Sequence, residues 1–232
     1  MAFPARPPAL VPRARHRGAS SPKVRTAAAV AVVSMAAAAA WVQYRTRRAE
    51  AEHPPAGRFL EVDGVRLHHL RTGHGRPVVL LHGNGTMIED FALSGVLGAA
   101  SRRYEVIAFD RPGYGYSERS RDRIWTPEAQ ADLLSQALVR LGIDKPILVG
   151  HSWGAIVAAA WALRHPQQVG GLVLISGYYF PTVRVDVPIL SPPALPVIGD
   201  LMRYTVSPLI GRLLWPRMVR RLFEPAPVAP SF

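Results

Sequence analysis

The chain has no cysteine, so disulfides take no part in its stability, and that absence alone does not fix its compartment. Acidic residues are missing from the first 48 positions, which carry nine basic ones: Arg6, Arg13, Arg15, Arg17, Lys23, Arg25, Arg45, Arg47 and Arg48. The formal net charge of +12 therefore belongs largely to one flank, and the rest of the chain, with 19 basic against 16 acidic residues, is nearly balanced. Such a body does not read as a nucleic-acid binder. Eight histidines are present, yet none follows His165. That inventory excludes any chemistry that takes its histidine from the last part of the chain.

Beside the basic flank, residues 26–44 run for nineteen positions without a charge, with Trp41 and Tyr44 near one end. A helix of that length is about 28 Å long, enough for a bilayer core. Nine of the nineteen are alanine, a weak inserter. The segment reads as a transmembrane signal anchor; a cleaved export signal at Ala38, Ala39 and Ala40 and a soluble alanine-rich helix are the alternatives. Six basic residues precede it and three follow. This bias puts the N-terminus inside and predicts a membrane-anchored body outside the cytoplasm, at a bacterial cell membrane.

Composition divides the chain further. Residues 1–25, rich in proline, arginine and alanine, read as a disordered basic arm, and residues 45–57, with Pro54 and Pro55, as a polar linker. From residue 58 an alternating hairpin is expected over 59–62 and 65–70, turning at Asp63 and Gly64. Short apolar strands are expected at 77–81, 104–109, 147–149 and 172–175, with a helix around 90–100. A further helix opens at Thr126, with Pro127 in its first position, and stops at Gly142. Strands alternating with helices predict an α/β class, a mostly parallel sheet with helices on both faces over residues 58–180. Residues 181–232 are proline-punctuated and hold short amphipathic pieces at 209–214 and 218–223, which read as a partial helical lid.

Three motifs fall where three strands end. His82, Gly83, Asn84 and Gly85 follow one; Asp110, Arg111, Pro112, Gly113, Tyr114, Gly115, Tyr116 and Ser117 follow another; Gly150, His151, Ser152, Trp153 and Gly154 sit between a strand and an alanine-rich helix. Ligands bind at the carboxyl edge of open parallel sheets, so the three converge on one rim. Around Ser152 the glycines read as space for a turn so tight that a Cβ would crowd the adjoining helix and strand. Ser152 could also serve as an ordinary helix N-cap. No metal cluster, phosphate loop or dinucleotide fingerprint competes, so no cofactor is expected.

The ordered trio resembles the α/β-hydrolase family, in its lid-bearing branch of esterases, epoxide hydrolases and dehalogenases, over about residues 58–232. The resemblance implies an α/β-hydrolase fold with Ser152 as nucleophile and the backbone N–H groups of Asn84 and Trp153 as the oxyanion hole. It implies that His82 supports the oxyanion loop and that Asp110 braces the loop it opens. Dehalogenases and epoxide hydrolases of this branch resemble His-Asp-Trp-Gly at the nucleophile; serine here implies acyl transfer on carboxylic esters or related compounds. Family members take their acid and histidine after the lid. The chain is accordingly expected to be a C-terminally truncated member, impaired in catalysis, or else a non-catalytic membrane-tethered binding module. Asp186 and Asp200 lie in the lid, His68 and His69 read as lying on the hairpin far from the rim, and His165 as a helix-end residue. The apolar lid, with Leu190, Leu195, Ile198, Leu209 and Trp215, implies a small apolar acyl substrate.

Overall fold

A computed structural model describes residues 21–180 and 198–228. Most of the basic arm and residues 181–197 of the lid, with Asp186, Leu190 and Leu195, lie outside the described residues.

Strand β1 (Arg58–Val62) turns through Asp63, φ 49°, and Gly64, φ 71°, into β2 (Val65–Thr72). Two successive positive φ values make the two-residue turn whose twist matches that of the strands, and an Asp-Gly pair adopts it at little steric cost. With β3 (Arg76–Leu81), β4 (Tyr104–Phe109), β5 (Ile147–His151) and β6 (Gly171–Ile175), they form one sheet in the order β1-β2-β4-β3-β5-β6. β2 is antiparallel to both β1 and β4, and the three remaining pairings are parallel.

Side-chain alternation then builds two helical layers. Val79, Leu81, Ile107, Phe109 and Leu148 share a core with Leu133, Leu134 and Leu138 of α4 (Pro127–Arg140) and Val157 and Trp161 of α5 (Trp153–Arg164). The intervening Val78, Leu80, Val106 and Ala108 pack with Ile88 and Phe91 of α2 (Ile88–Leu93) on the opposite face. Successive strand residues point to opposite sides, so nearly unbroken apolar strands feed both layers. Each such Leu- or Phe-sized side chain contributes roughly 1.5–3 kcal/mol.

Local signals fix most boundaries. The Thr126 hydroxyl accepts from Ala129 N–H at 3.2 Å, Pro127 opens α4, and Gly142 at φ 68° follows its end. The helix expected over 90–100 is two, α2 and α3 (Val96–Ser101), because Gly95 between them takes φ 76°, a left-handed value that breaks a helix. α1 spans Pro22–Glu52, longer than the apolar run at both ends. It takes up most of the expected linker, since nothing before Pro54 breaks it and Arg48 pairs with Glu52 one turn on at 2.7 Å. Its length and an 18-residue window of mean hydropathy 1.6 suit a bilayer crossing. In the segment read as a lid, α6 (Ile198–Tyr204) is followed by α7 (Ser207–Phe223), which runs through Pro216 and so unites the two expected short pieces. β6 forms one border of the sheet, with Leu172, Val173, Leu174 and Ile175 at 40, 44, 39 and 45% exposure.

Candidate active site

Ser152 stands between β5 and α5 at φ 52°, ψ −118°. A residue with a Cβ enters that region at a cost of order 1–3 kcal/mol, so its surroundings must impose it. Ser152 N–H donates to the Ile175 carbonyl of β6 at 2.8 Å, and Ala155 N–H donates to the Ser152 carbonyl at 3.0 Å. The flanking glycines provide room. A Cβ on Gly150 would collide with the start of α5, and one on Gly154 with the carbonyls of Leu81 and His82. The half-buried hydroxyl of Ser152 makes no N-cap bond, so the simple capping role is not taken up.

The loop after β3 lies directly against this turn. A Cβ built on Gly83 would sit 3.1 Å from Ser152 Cβ and 3.5 Å from His151 Nδ1, closeness that only glycine permits without displacement. Next in the loop, the side chain of exposed Asn84 is held by two donors: Oδ1 accepts from Tyr114 Oη at 2.8 Å and Arg111 Nη2 at 3.1 Å. Its backbone N–H, and that of Trp153 at the N-terminus of α5, donate no hydrogen bond among the described residues. Two amide donors are thus left near the serine, one of them aided by the helix terminus.

Beneath the loop is a buried polar cluster. His82 Nδ1–H donates to the Gly83 carbonyl at 2.8 Å, while Nε2 accepts from Arg111 N–H at 3.0 Å. Burial first, and the Arg111 charge second, push this imidazole down to about 4. It is neutral at pH 7 with both nitrogens engaged, which suits support of the loop and not a general base. Arg111 belongs to the motif after β4, but the sequence gives it no role of its own. Fully buried, it donates from Nε to the His82 carbonyl at 2.8 Å, from Nη2 to the Gly83 carbonyl at 2.9 Å and from Nη1 to Gln130 Oε1 at 3.0 Å. Its guanidinium also lies 4.4 Å from the Tyr114 ring centre. Burial lowers its pKa, but a guanidinium remains charged, so one cation grips two loop carbonyls at once.

Asp110 braces its loop as expected, accepting from Ile88 N–H at 2.9 Å and Tyr116 N–H at 3.0 Å. Its third partner corrects the reading of His68 as remote from the rim: His68 Nδ1 lies 2.7 Å from Asp110 Oδ2, both side chains buried. Because β2 runs antiparallel to β4, the start of β2 lies beside the end of β4. His165 Nε2 meets Asp132 Oδ1 at 2.7 Å, next to Arg164, and ties α5 to α4. Among the described residues, no histidine nitrogen hydrogen-bonds Ser152 Oγ, and no group of three His, Asp or Glu could hold a metal ion.

Trp215 of α7 roofs the loop, its ring atoms 3.2 and 3.3 Å from where a Gly85 Cβ would lie. Trp153 meets Tyr178 edge-on at 6.2 Å. A separate hollow of about 530 Å³, lined by Phe59, His69, Leu70, Arg71 and Leu141, opens on the β1–β2 hairpin. It lies three to four strand positions from β5, roughly 14–19 Å, and takes no part in this site.

Known proteins share this fold. Residues 76–212 match the family model described as alpha/beta hydrolase fold. The chain is 35% identical over 131 residues to 2-hydroxymuconate semialdehyde hydrolase of Pseudomonas sp. (strain CF600), covering 55% of this chain and 46% of that protein. It is 28% identical over 129 residues to haloalkane dehalogenase 2 of Mycobacterium tuberculosis (strain ATCC 25618 / H37Rv), covering 56% of this chain and 44% of the other. The chain therefore spans about half the length of the curated relatives it matches. A thermophilic esterase from Thermogutta terrifontis shares the fold with TM-score 0.58 at 24% identity, over 69% of this chain and 59% of the esterase. The family match takes in β3 to β6, the Ser152 turn and both flanking loops, and on that match the chain belongs to the α/β-hydrolase family.

Proposed function

We propose that this chain carries the nucleophile and oxyanion part of a serine hydrolase acting on carboxylic esters or related acyl compounds. The observation behind this reading is Ser152 at φ 52°, its hydroxyl free of any capping bond, against a glycine loop with an unpaired amide. In the reaction, Ser152 Oγ attacks the acyl carbonyl carbon, and the N–H groups of Asn84 and Trp153 receive the charge that develops on oxygen. Donors fixed in place before that charge appears need no reorganisation, and each such donor accounts for about 2.7–4 kcal/mol in comparable enzymes. The apolar lid favours a small apolar acyl group. The length and hydropathy of α1 support attachment to a membrane, and the six basic residues before its apolar run against three after it favour a body outside the cytoplasm.

The attack also needs a group to take the serine proton. No described histidine reaches Ser152 Oγ, so the polypeptide of this sequence is expected to turn over weakly, through binding and oxyanion stabilisation alone. The same observation favours a second reading, a membrane-tethered module that binds acyl ligands without hydrolysing them. Fluorophosphonate labelling followed by peptide mapping tests the first reading: slow labelling on Ser152 that disappears in Ser152→Ala supports it, and labelling confined to other residues overturns it. Hydrolysis of p-nitrophenyl butyrate by the purified chain at an ordinary enzyme rate, about 1–1000 per second, contradicts the weak-turnover expectation.

A further inference from the structure

Helix α7 contains Arg212, Arg217, Arg220 and Arg221 and no acidic residue. Trp215 of this helix rests on the Gly85 loop. At 100° per residue, Leu209, Ile210, Leu213, Arg217, Arg220 and Arg221 fall within about 60° of the direction opposite Trp215. The side of the helix opposite Trp215 is therefore a stripe that is apolar in its first half and cationic in its second. Leu209, Ile210 and Leu213 are 49, 44 and 68% exposed, against what an ordinary surface helix shows to water. Arg217 and Arg221 continue the Leu209 and Leu213 row at four-residue spacing. No carboxylate of the described residues pairs with Arg217, Arg220 or Arg221.

The same unit touches the apolar N-terminal helix. α1 packs against α6, which leads into α7, and the buried residue of α1 is Val42. Val42 lies two residues inside the end of the uncharged run at 44, about 3 Å of helix rise. That end carries Trp41 and Tyr44, the aromatic pair suited to a bilayer boundary. A crossing by α1 would therefore bring α6 and α7 to headgroup level, where exposed leucines reach acyl chains and arginines reach phosphates.

We infer that the outward stripe of α7 is an interfacial binding surface for an anionic phospholipid bilayer, a second membrane contact beyond the anchoring helix. The inference rests on the membrane reading for its geometry, and the experiment separates the two. Because the chain lacks cysteine, single cysteines can carry an environment-sensitive nitrobenzoxadiazole label at Leu213→Cys, at Val33→Cys in α1 and at Val139→Cys on exposed α4. The full chain is reconstituted into vesicles of phosphatidylcholine alone or of equimolar phosphatidylcholine and phosphatidylglycerol. The expected result is a blue-shifted emission at position 213 in the anionic vesicles relative to the neutral ones, with none at 139. The shift is lost when Arg217, Arg220 and Arg221 are changed together to glutamine and diminished by added salt. Emission at 213 that matches 139 in both vesicles overturns the inference, even where the label at 33 reports insertion and the anchor stands. A response at 213 with the label at 33 still in water supports the stripe and removes the anchor. A shift produced by soluble poly-glutamate and not by anionic vesicles assigns the stripe to acidic peptide and overturns the lipid assignment.

Discussion

Gly150 and Gly154 have ordinary backbone angles, so a substitution there acts through space alone. Gly154→Ala would drive a methyl group into the Leu81 and His82 carbonyls, and the expected cost is about 1–3 kcal/mol with loss of Ser152 labelling. Urea unfolding alongside fluorophosphonate labelling measures both. His82 adds a pH dependence with a definite sign. Its folded value of about 4 lies below the unfolded 6.5, so the unfolded chain binds more protons between these values and stability falls as pH drops through that window. Up to about 3 kcal/mol is at stake, and in His82→Gln the slope of stability against pH between 6.5 and 4 should flatten. Of the residues around Ser152, those read from spacing were the glycines, the serine and the loop after β3. Arg111 escaped, because nothing local in a sequence distinguishes a buried guanidinium from a solvated one. Its partners are main-chain carbonyls 28 and 29 positions away and a glutamine on α4.

Elements with their own punctuation were the legible ones. Asp63 with Gly64, Thr126 with Pro127, and Gly142 each set a boundary that the fold respects. Where the reading slipped, the deciding contact was longer-ranged or a single dihedral: Gly95 divides α2 from α3, and β2 delivers His68 to Asp110 only because it pairs antiparallel with β4. The α4–α5 pair is joined at its surface by Asp132 with Arg164 and His165. With Arg164 about half exposed, water and salt screen that cluster. Asp132→Ala is expected to cost less than about 1 kcal/mol, a loss that shrinks further at high ionic strength in thermal melts.

Across the described residues of the whole molecule, the sheet ends at the β1–β2 hairpin on one side and presents β6 as an apolar border on the other. An exposed row of Leu172, Val173, Leu174 and Ile175 is a template for further strand pairing. Val173→Lys is expected to reduce light scattering of the concentrated protein while leaving its far-ultraviolet circular dichroism unchanged; equal scattering by both forms would show that association uses another surface. The alternation of strands with helices and the helical layers on both faces were readable from apolar runs and their spacing, whereas the order of the strands across the sheet was a matter of assembly. The Ser152 amide hangs from the Ile175 carbonyl of that same strand. The posture of Ser152 is thus suspended from the outermost rung of the sheet, and a neighbour that grips β6 would steady or tilt the hydroxyl without ever touching it.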